Sequence, residues 1–179
     1  EAMFGAGAHF ALSKNRRHPS AKPYIFGAKN TVEIFDLEKT KTCLEAAKKF
    51  VKELASRGEM LLFVSGKFEA RDAVKNAASS IEQPFVAGRW IGGAITNFGE
   101  IRKRVEKLLE MRTKRAAGEF VKYTKKEQLL LDRELDNLEK LFGGLTSMVA
   151  LPKAVFVVDS AKEKTVVAEA RQKNIPVIA

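Results

Sequence analysis

Two uninterrupted runs of apolar residues constrain the fold of this chain more than any other feature. They cover residues 60–64 (MLLFV) and residues 154–158 (AVFVV). Unbroken apolar runs of this length are typical of parallel strands that are buried on both faces. Weaker runs at residues 31–35, 85–86 and 175–179 alternate with segments in which apolar residues recur at helical spacing. This alternation predicts an α/β fold with a parallel β-sheet and helices on both faces.

Three helices are predicted between these strands, because apolar residues repeat every three or four positions there. The first helix ends at Gly58, the second covers about 70–81, and the third covers about 162–174. The apolar stripes are Leu37, Leu44, Ala47, Val51 and Leu54 in the first helix, and Ala70, Val74, Ala77 and Ile81 in the second. Asp36 is the predicted N-cap of the first helix, and residues 160–163 (SAKE) have the capping-box pattern before the third.

Residues 97–147 interrupt the alternation with a different pattern. Two segments carry apolar residues that step by four and three, as in a short coiled-coil seam. These residues are Ile101, Val105 and Leu108 in the first segment, and Leu131, Leu135, Leu138 and Phe142 in the second. A capping box at residues 124–127 (TKKE) starts the second helix, and Gly143-Gly144 ends it. We therefore predict an inserted antiparallel α-helical coiled-coil hairpin.

The predicted domains are a sheet domain at 1–96 and 148–179 and the hairpin insertion at 97–147. The chain has no initiator methionine, and its last predicted strand runs up to Ala179. We therefore expect a longer protein, with a further C-terminal part of the sheet domain beyond these residues.

Positive charge is concentrated in two segments of a chain whose formal net charge is +10. Residues 14–29, the basic loop, contain five Lys or Arg and no acid; residues 112–126, the hairpin tip, contain six against Glu119 alone. These two surpluses of five equal the whole net charge, which predicts a polyanionic partner. The first hairpin helix is net basic and the second net acidic, so the two arms are expected to pair. The predicted phosphate-binding residues are Lys14, Arg16, Arg17, Lys22, Lys29, Arg89, Arg112, Lys114, Arg115, Lys122, Lys125 and Lys126.

The compartment is predicted from the cysteine content and from the length of the apolar runs. The only cysteine, Cys43, has no partner for an intrachain disulfide, which favours a reducing compartment. No apolar run approaches the roughly twenty residues that a bilayer crossing needs. We therefore expect a cytoplasmic protein that does not span a membrane.

Several residues at strand ends and turns have types that also occur in catalytic and metal-binding sites. Asp36 and Asp159 both follow strands, where α/β folds place ligands, but helix capping accounts for both positions. Residues 64–67 (VSGK) lie at a strand-to-helix turn and lack the P-loop spacing. The two histidines and one cysteine have no zinc-ligand spacing. We therefore predict no catalytic residues, no cofactor, no metal and no small-molecule substrate.

One sequence block carries a specific resemblance: residues 89–98 (RWIGGAITNF). Further matching segments follow in the same order along nearly the whole chain: residues 1–10, 16–19 (RRHP), 23–27 (PYIFG), 34–40 (IFDLEKT), 63–64, 129–141, 143–144 and 151–159. On these residues the chain resembles the bacterial small-subunit ribosomal protein S2 family. One departure is at residues 9–12 (HFAL), where the family usually reads His-Phe-Gly-His.

The resemblance implies a flavodoxin-like sheet with the coiled-coil hairpin, and a structural rather than catalytic role in the small ribosomal subunit. The implied partners are small-subunit ribosomal RNA and neighbouring ribosomal proteins, including the large mRNA-binding protein built of OB folds. Two other hypotheses stay open at this point. One is a Rossmann-like nucleotide-binding enzyme that uses Asp36, Ser65, Gly66 and Asp159, and the other is a protein-interaction scaffold that acts through the hairpin alone.

Overall fold

The computed structural model describes residues 1–179 and divides them into two compact units, residues 1–53 and residues 54–179. The helices are α1 (Ala2–Gly5), α2 (Leu37–Ser56), α3 (Arg71–Ser80), α4 (Phe98–Ala116), α5 (Lys125–Phe142) and α6 (Lys164–Gln172). The strands are β1 (Phe10–Ser13), β2 (Ile25–Lys29), β3 (Val32–Phe35), β4 (Leu61–Ser65), β5 (Phe85–Ala87), β6 (Ala154–Val158) and β7 (Val177–Ile178). Short 3₁₀ helices cover Pro19–Tyr24, Glu119–Lys122 and Gly143–Leu145.

The first unit contains a three-stranded antiparallel sheet in the order β1-β3-β2. Asn30 and Thr31 form the two-residue turn between β2 and β3, with positive φ angles of 49° and 67°. Positive φ at both positions is the geometry of a type I′ hairpin. The strand predicted at residues 31–35 is confirmed, but its place in the parallel sheet is wrong, because β3 pairs antiparallel with both neighbours.

Asp36 is the N-cap of α2, as predicted. Its Oδ1 accepts hydrogen bonds from the backbone N–H groups of Glu38 (3.0 Å) and Lys39 (3.4 Å). These bonds satisfy two of the backbone donors that a helix leaves free at its start.

The second unit is built on a four-stranded parallel sheet in the order β5-β4-β6-β7. The two apolar runs form its central strands: Phe63 on β4 lies opposite Phe85 on β5 and Phe156 on β6. Leu62 and Val155 are completely buried. The parallel sheet predicted from the unbroken apolar runs is therefore confirmed.

Helices α4 and α5 form the predicted hairpin. Its seam is buried at Ile101, Val105, Leu108, Met111, Leu135, Leu138 and Phe142. These side chains belong to the same hydrophobic cluster as Leu62 and Val155 of the sheet. The hairpin therefore packs into the sheet's core, while the division at residues 97 and 147 stays a prediction.

The predicted helix starts have different outcomes. At α5 the capping box is present, because Thr124 Oγ1 accepts from Glu127 N–H and Glu127 Oε2 accepts from Thr124 N–H at 2.9 Å. At α6 the predicted box at residues 160–163 is wrong. Asp159 Oδ1 accepts instead from the N–H groups of residues 161 and 162, and the helix begins only at Lys164.

The predicted apolar stripe of α3 is correct in part. Val74 is buried, but Ala77 is exposed and Ile81, which lies beyond the helix end, is 55% exposed. Ala78 is buried in place of Ala77. The buried face of α3 is therefore a narrow i, i+4 stripe against the edge of the sheet.

Candidate nucleic-acid interface

Residues 90–96, the core of the specific block, surround a single buried carboxylate. Glu169 on α6 is 7% exposed. Its Oε1 accepts hydrogen bonds from Trp90 Nε1 (3.0 Å) and Gly93 N (2.9 Å). Its Oε2 accepts from Ile95 N, Thr96 N and Thr96 Oγ1, each at 3.1 Å. We call Trp90, Gly93, Ile95 and Thr96 the Glu169 cradle.

The cradle holds the carboxylate without a cation. Burial alone would raise the pKa of Glu169, but the hydrogen bonds from Trp90, Gly93, Thr96 and Ile95 outweigh it and lower the pKa below its ordinary value of 4.5. Gly93 has a φ of 90°, which an L side chain rarely adopts, so a glycine suits this turn. The conspicuous Trp and Gly residues of the block are therefore structural, and Glu169 was not predicted.

Of the predicted phosphate-binding residues in the basic loop, one has an acidic partner. Arg17 Nε lies 3.4 Å from Glu33 Oε2, and both side chains are largely buried. The contact is an ion pair without hydrogen-bond geometry. Lys14, Arg16, Lys22 and Lys29 are exposed and have no carboxylate partner.

The two arms of the hairpin pair electrostatically, as predicted. Lys107 pairs with Glu134, Arg112 with Glu139, and Arg115 Nε lies 3.3 Å from Asp132 Oδ1. These pairs are half-exposed, so each contributes only about 0.2–1 kcal/mol to stability.

The predicted hairpin-tip cations divide into paired and unpaired residues. Arg112 and Arg115 belong to the arm pairs, and Lys114 pairs with Glu110 one turn earlier on α4. The hydrogen bond that Lys114 donates to the Glu110 carboxylate raises the pKa of Lys114. Lys122, Lys125 and Lys126 are exposed and have no carboxylate partner. The uncompensated charge of the tip therefore lies at residues 122–126.

Arg89 belongs to neither of the two basic sequence segments and lies in a cleft of about 710 Å³ within the second unit. The cleft is lined by residues of α3, the end of β5 and the base of the hairpin. Arg71, Lys75 and Lys140 lie in it with Arg89. These three cations were not predicted, because they stand singly in the sequence and only the fold brings them together.

In the second unit, Ser65 and Asp159 of the enzyme hypothesis already have partners within the protein. Lys67 Nζ lies 2.8 Å from Asp159 Oδ2, and its hydrogen bond lowers the pKa of Asp159. Ser65 is completely buried, with its Oγ 3.5 Å from the carbonyl oxygen of Lys67. Glu163 lies beside Gly66, and burial raises the pKa of its carboxyl group. No three His, Cys, Asp or Glu side chains come together in a metal-binding arrangement.

The fold and the charge distribution define a basic α/β protein with a helical hairpin, and comparison with known proteins identifies its family. The model of the family "Ribosomal protein S2" matches residues 3–179. The chain therefore belongs to the ribosomal protein S2 family, whose members are small-subunit ribosomal proteins with a structural, non-enzymatic role in translation. This membership rules out the nucleotide-binding enzyme.

Individual relatives cover almost the whole chain. It is 43% identical over 178 residues to the small ribosomal subunit protein uS2 of Roseiflexus sp. (strain RS-1), spanning 99% of this chain and 68% of that protein. It is 41% identical over 177 residues to the uS2 proteins of Chloroflexus aggregans and Mycobacteroides abscessus, of which it spans 74% and 64%. Separately, none of the helices combines the length and the apolar character that a bilayer crossing requires.

Proposed function

We propose that this chain binds small-subunit ribosomal RNA by phosphate contact, through the unpaired cations of the hairpin tip and the basic loop. The observation that carries the proposal is the division of charge along the hairpin. Lys107, Arg112 and Arg115 on the first arm each pair with a carboxylate of the second arm, whereas Lys122, Lys125 and Lys126 at the end pair with none. Each phosphate that such a cation neutralises releases counterions, which adds affinity without reading base sequence.

The basic loop supports the same proposal through its shape. Arg17 is held against the antiparallel sheet by Glu33, and the His18 ring accepts from the Ser20 N–H at 3.2 Å. These contacts order the loop directly after Arg16, while Lys14, Arg16 and Lys22 remain free for an external anion. An ordered arrangement of cations loses less conformational entropy on binding than a flexible one.

A triple variant tests the tip. Lys122→Gln, Lys125→Gln and Lys126→Gln should flatten the salt dependence of binding to protein-free small-subunit rRNA by about 2–3 units of log–log slope, because each phosphate contact contributes roughly 0.7–0.9. The matched control replaces three paired lysines of the hairpin, Lys103, Lys107 and Lys114, with Gln. The proposal fails if the two triple variants lose the same affinity, or if wild-type binding does not depend on salt.

We also propose that the chain helps to dock the multi-OB-fold mRNA-binding protein of the small subunit. Family membership supports this part. In small subunits reconstituted with this chain, that protein should stay in a protein complex after complete RNase digestion. In subunits reconstituted without this chain, it should not. Loss of the protein on RNase treatment would show that RNA, not this chain, holds it.

A further inference from the structure

The cleft at the base of the hairpin carries more positive charge than the protein compensates. Its charged lining consists of Arg71, Lys75, Arg89 and Lys140 against Asp72 and Glu139. Glu139 already accepts hydrogen bonds from the Arg112 guanidinium, at 2.9 Å for Nε. With that pair counted as neutral, the four cations face Asp72 alone.

The four cations are placed on three different elements. Arg71 and Lys75 lie one turn apart on α3, Arg89 follows β5, and Lys140 lies in the last turn of α5. All four side chains are exposed, and none forms an ion pair. Cations gathered around a concave surface reinforce one another's field, so the cleft attracts anions more strongly than the same charges would on a flat surface.

The form of the cleft indicates the kind of anion. Pockets for small molecules are mostly apolar and enclosed, with few polar groups, whereas here four flexible or forked cations surround a cleft of about 710 Å³. Arginine side chains bind phosphate oxygens in pairs, and lysines add point charges. Lys140 is 14 residues from Lys126 on the same helix, a separation of about 21 Å at 1.5 Å per residue. A folded polyphosphate can therefore reach the tip and the base of one rigid hairpin together.

We propose that this cleft is a second RNA-backbone site, in which Arg71, Lys75, Arg89 and Lys140 hold phosphates at the base of the hairpin. The inference rests on the proposed function and extends it from the tip to four residues that the charge runs do not contain. Two contacts on one rigid helix reinforce each other, since the second forms at high effective concentration once the first is made.

A quadruple variant tests the cleft. Arg71→Gln, Lys75→Gln, Arg89→Gln and Lys140→Gln should weaken binding to protein-free small-subunit rRNA at least tenfold at about 0.1 M salt, and lower the log–log salt slope by roughly 3. The control removes the same number of charges from exposed, unpaired residues of the second unit: Lys153, Lys164, Arg171 and Lys173. Urea unfolding midpoints should stay at the wild-type value in both variants, because all eight side chains are exposed.

A second measurement locates the contact without substitutions. Acetylation of lysines, followed by mass spectrometry, should show Lys75 and Lys140 protected in the RNA complex, and Lys153 and Lys164 reactive.

The outcomes separate this inference from the proposed function. If the cleft variant binds like its control while the Lys122, Lys125 and Lys126 variant is weakened, the cleft site is wrong and the tip proposal stands. If wild-type binding shows no salt dependence, both fail. If the cleft variant keeps full RNA affinity but loses an acidic ribosomal protein from reconstituted subunits, the cleft is a protein site and the inference is overturned.

Discussion

Replacing Glu169 with Gln tests the role of the cradle, because the substitution keeps the shape of the side chain and removes one acceptor. The two carboxylate oxygens accept five hydrogen bonds, two on Oε1 and three on Oε2. A Gln amide at the Oε1 position faces the donors of Trp90 and Gly93. At the Oε2 position it faces the N–H groups of Ile95 and Thr96, although the Thr96 hydroxyl can turn to accept. Either way, two N–H donors lose their acceptor.

The cost follows from that count. Each buried donor left without an acceptor costs about 1–3 kcal/mol, so Glu169→Gln should lower the free energy of unfolding by about 2–6 kcal/mol at neutral pH. That is a large part of the 5–15 kcal/mol typical of a domain. Urea unfolding measures this loss of stability. It is followed by circular dichroism and by the fluorescence of the only tryptophan, Trp90, which lies in the second unit.

The pH dependence has a defined sign. The folded-state pKa of Glu169 is below its ordinary value of 4.5, so its contribution is present above that value and is lost as pH falls through the folded pKa. The difference in free energy of unfolding between wild type and Glu169→Gln should therefore be constant near neutral pH and should disappear in acid.

Glu163→Gln is the matched control. Glu163 is equally buried, but burial raises its pKa, so its ionised form is disfavoured in the fold. That variant should be at least as stable as wild type at neutral pH. A Glu169→Gln protein that unfolds at the wild-type urea midpoint, or whose deficit persists unchanged in acid, would refute the cradle.

Two further predictions concern packing in the second unit. Leu108→Ala, at a completely buried seam position, should lower the free energy of unfolding by about 2–5 kcal/mol. Leu109 is next to it but 38% exposed, so Leu109→Ala should lower the free energy of unfolding much less. Equal urea midpoints for the two variants would contradict the burial of Leu108 in the seam. Gly144→Ala should destabilise strongly, because a Cβ there would lie 2.2 Å from the Phe85 carbonyl oxygen, whereas at Gly143 it would meet only the flexible end of a Glu side chain. A Gly144→Ala protein with the melting temperature of Gly143→Ala would contradict this close approach.

The sequence predicted the elements with strong periodicity, for a physical reason. An unbroken apolar run reports burial on both faces, and a four–three step reports a helical seam, so β4, β6 and the hairpin could be identified. Periodicity does not report the direction of pairing. The run at residues 31–35 was placed in the wrong sheet because its turn, Asn30-Thr31, lacks the Asn-Gly or Asp-Gly signal of a tight hairpin.

The charge runs predict an anion-binding surface, but they do not show which of its cations are already paired within the protein. Counting cations along the chain ignores carboxylates that approach from another helix, so Arg112 and Arg115 looked free although Glu139 and Asp132 neutralise them. The same counting missed the cleft, whose lysines and arginines are spread over about seventy residues of sequence. The sequence does not single out Glu169, because an acid on an amphipathic helix is usually solvated and the donors of Glu169 stand 73–79 residues earlier.

The second unit thus holds two anion-binding arrangements that differ in physics. The cradle uses neutral N–H and O–H donors that are shielded from solvent, and its anion is the protein's own Glu169. Its energy is therefore hardly screened by salt and belongs to folding. The proposed RNA sites, the cleft and the tip, consist of exposed cations that form no ion pair within the protein, so their energy should depend on counterion release and belong to binding. Substitutions in the cradle should change the unfolding midpoint without changing the salt slope of RNA binding, and neutralised cations in the cleft or tip should do the reverse. This separation follows from where the compensating negative charge lies, inside the fold in one case and on the partner in the other.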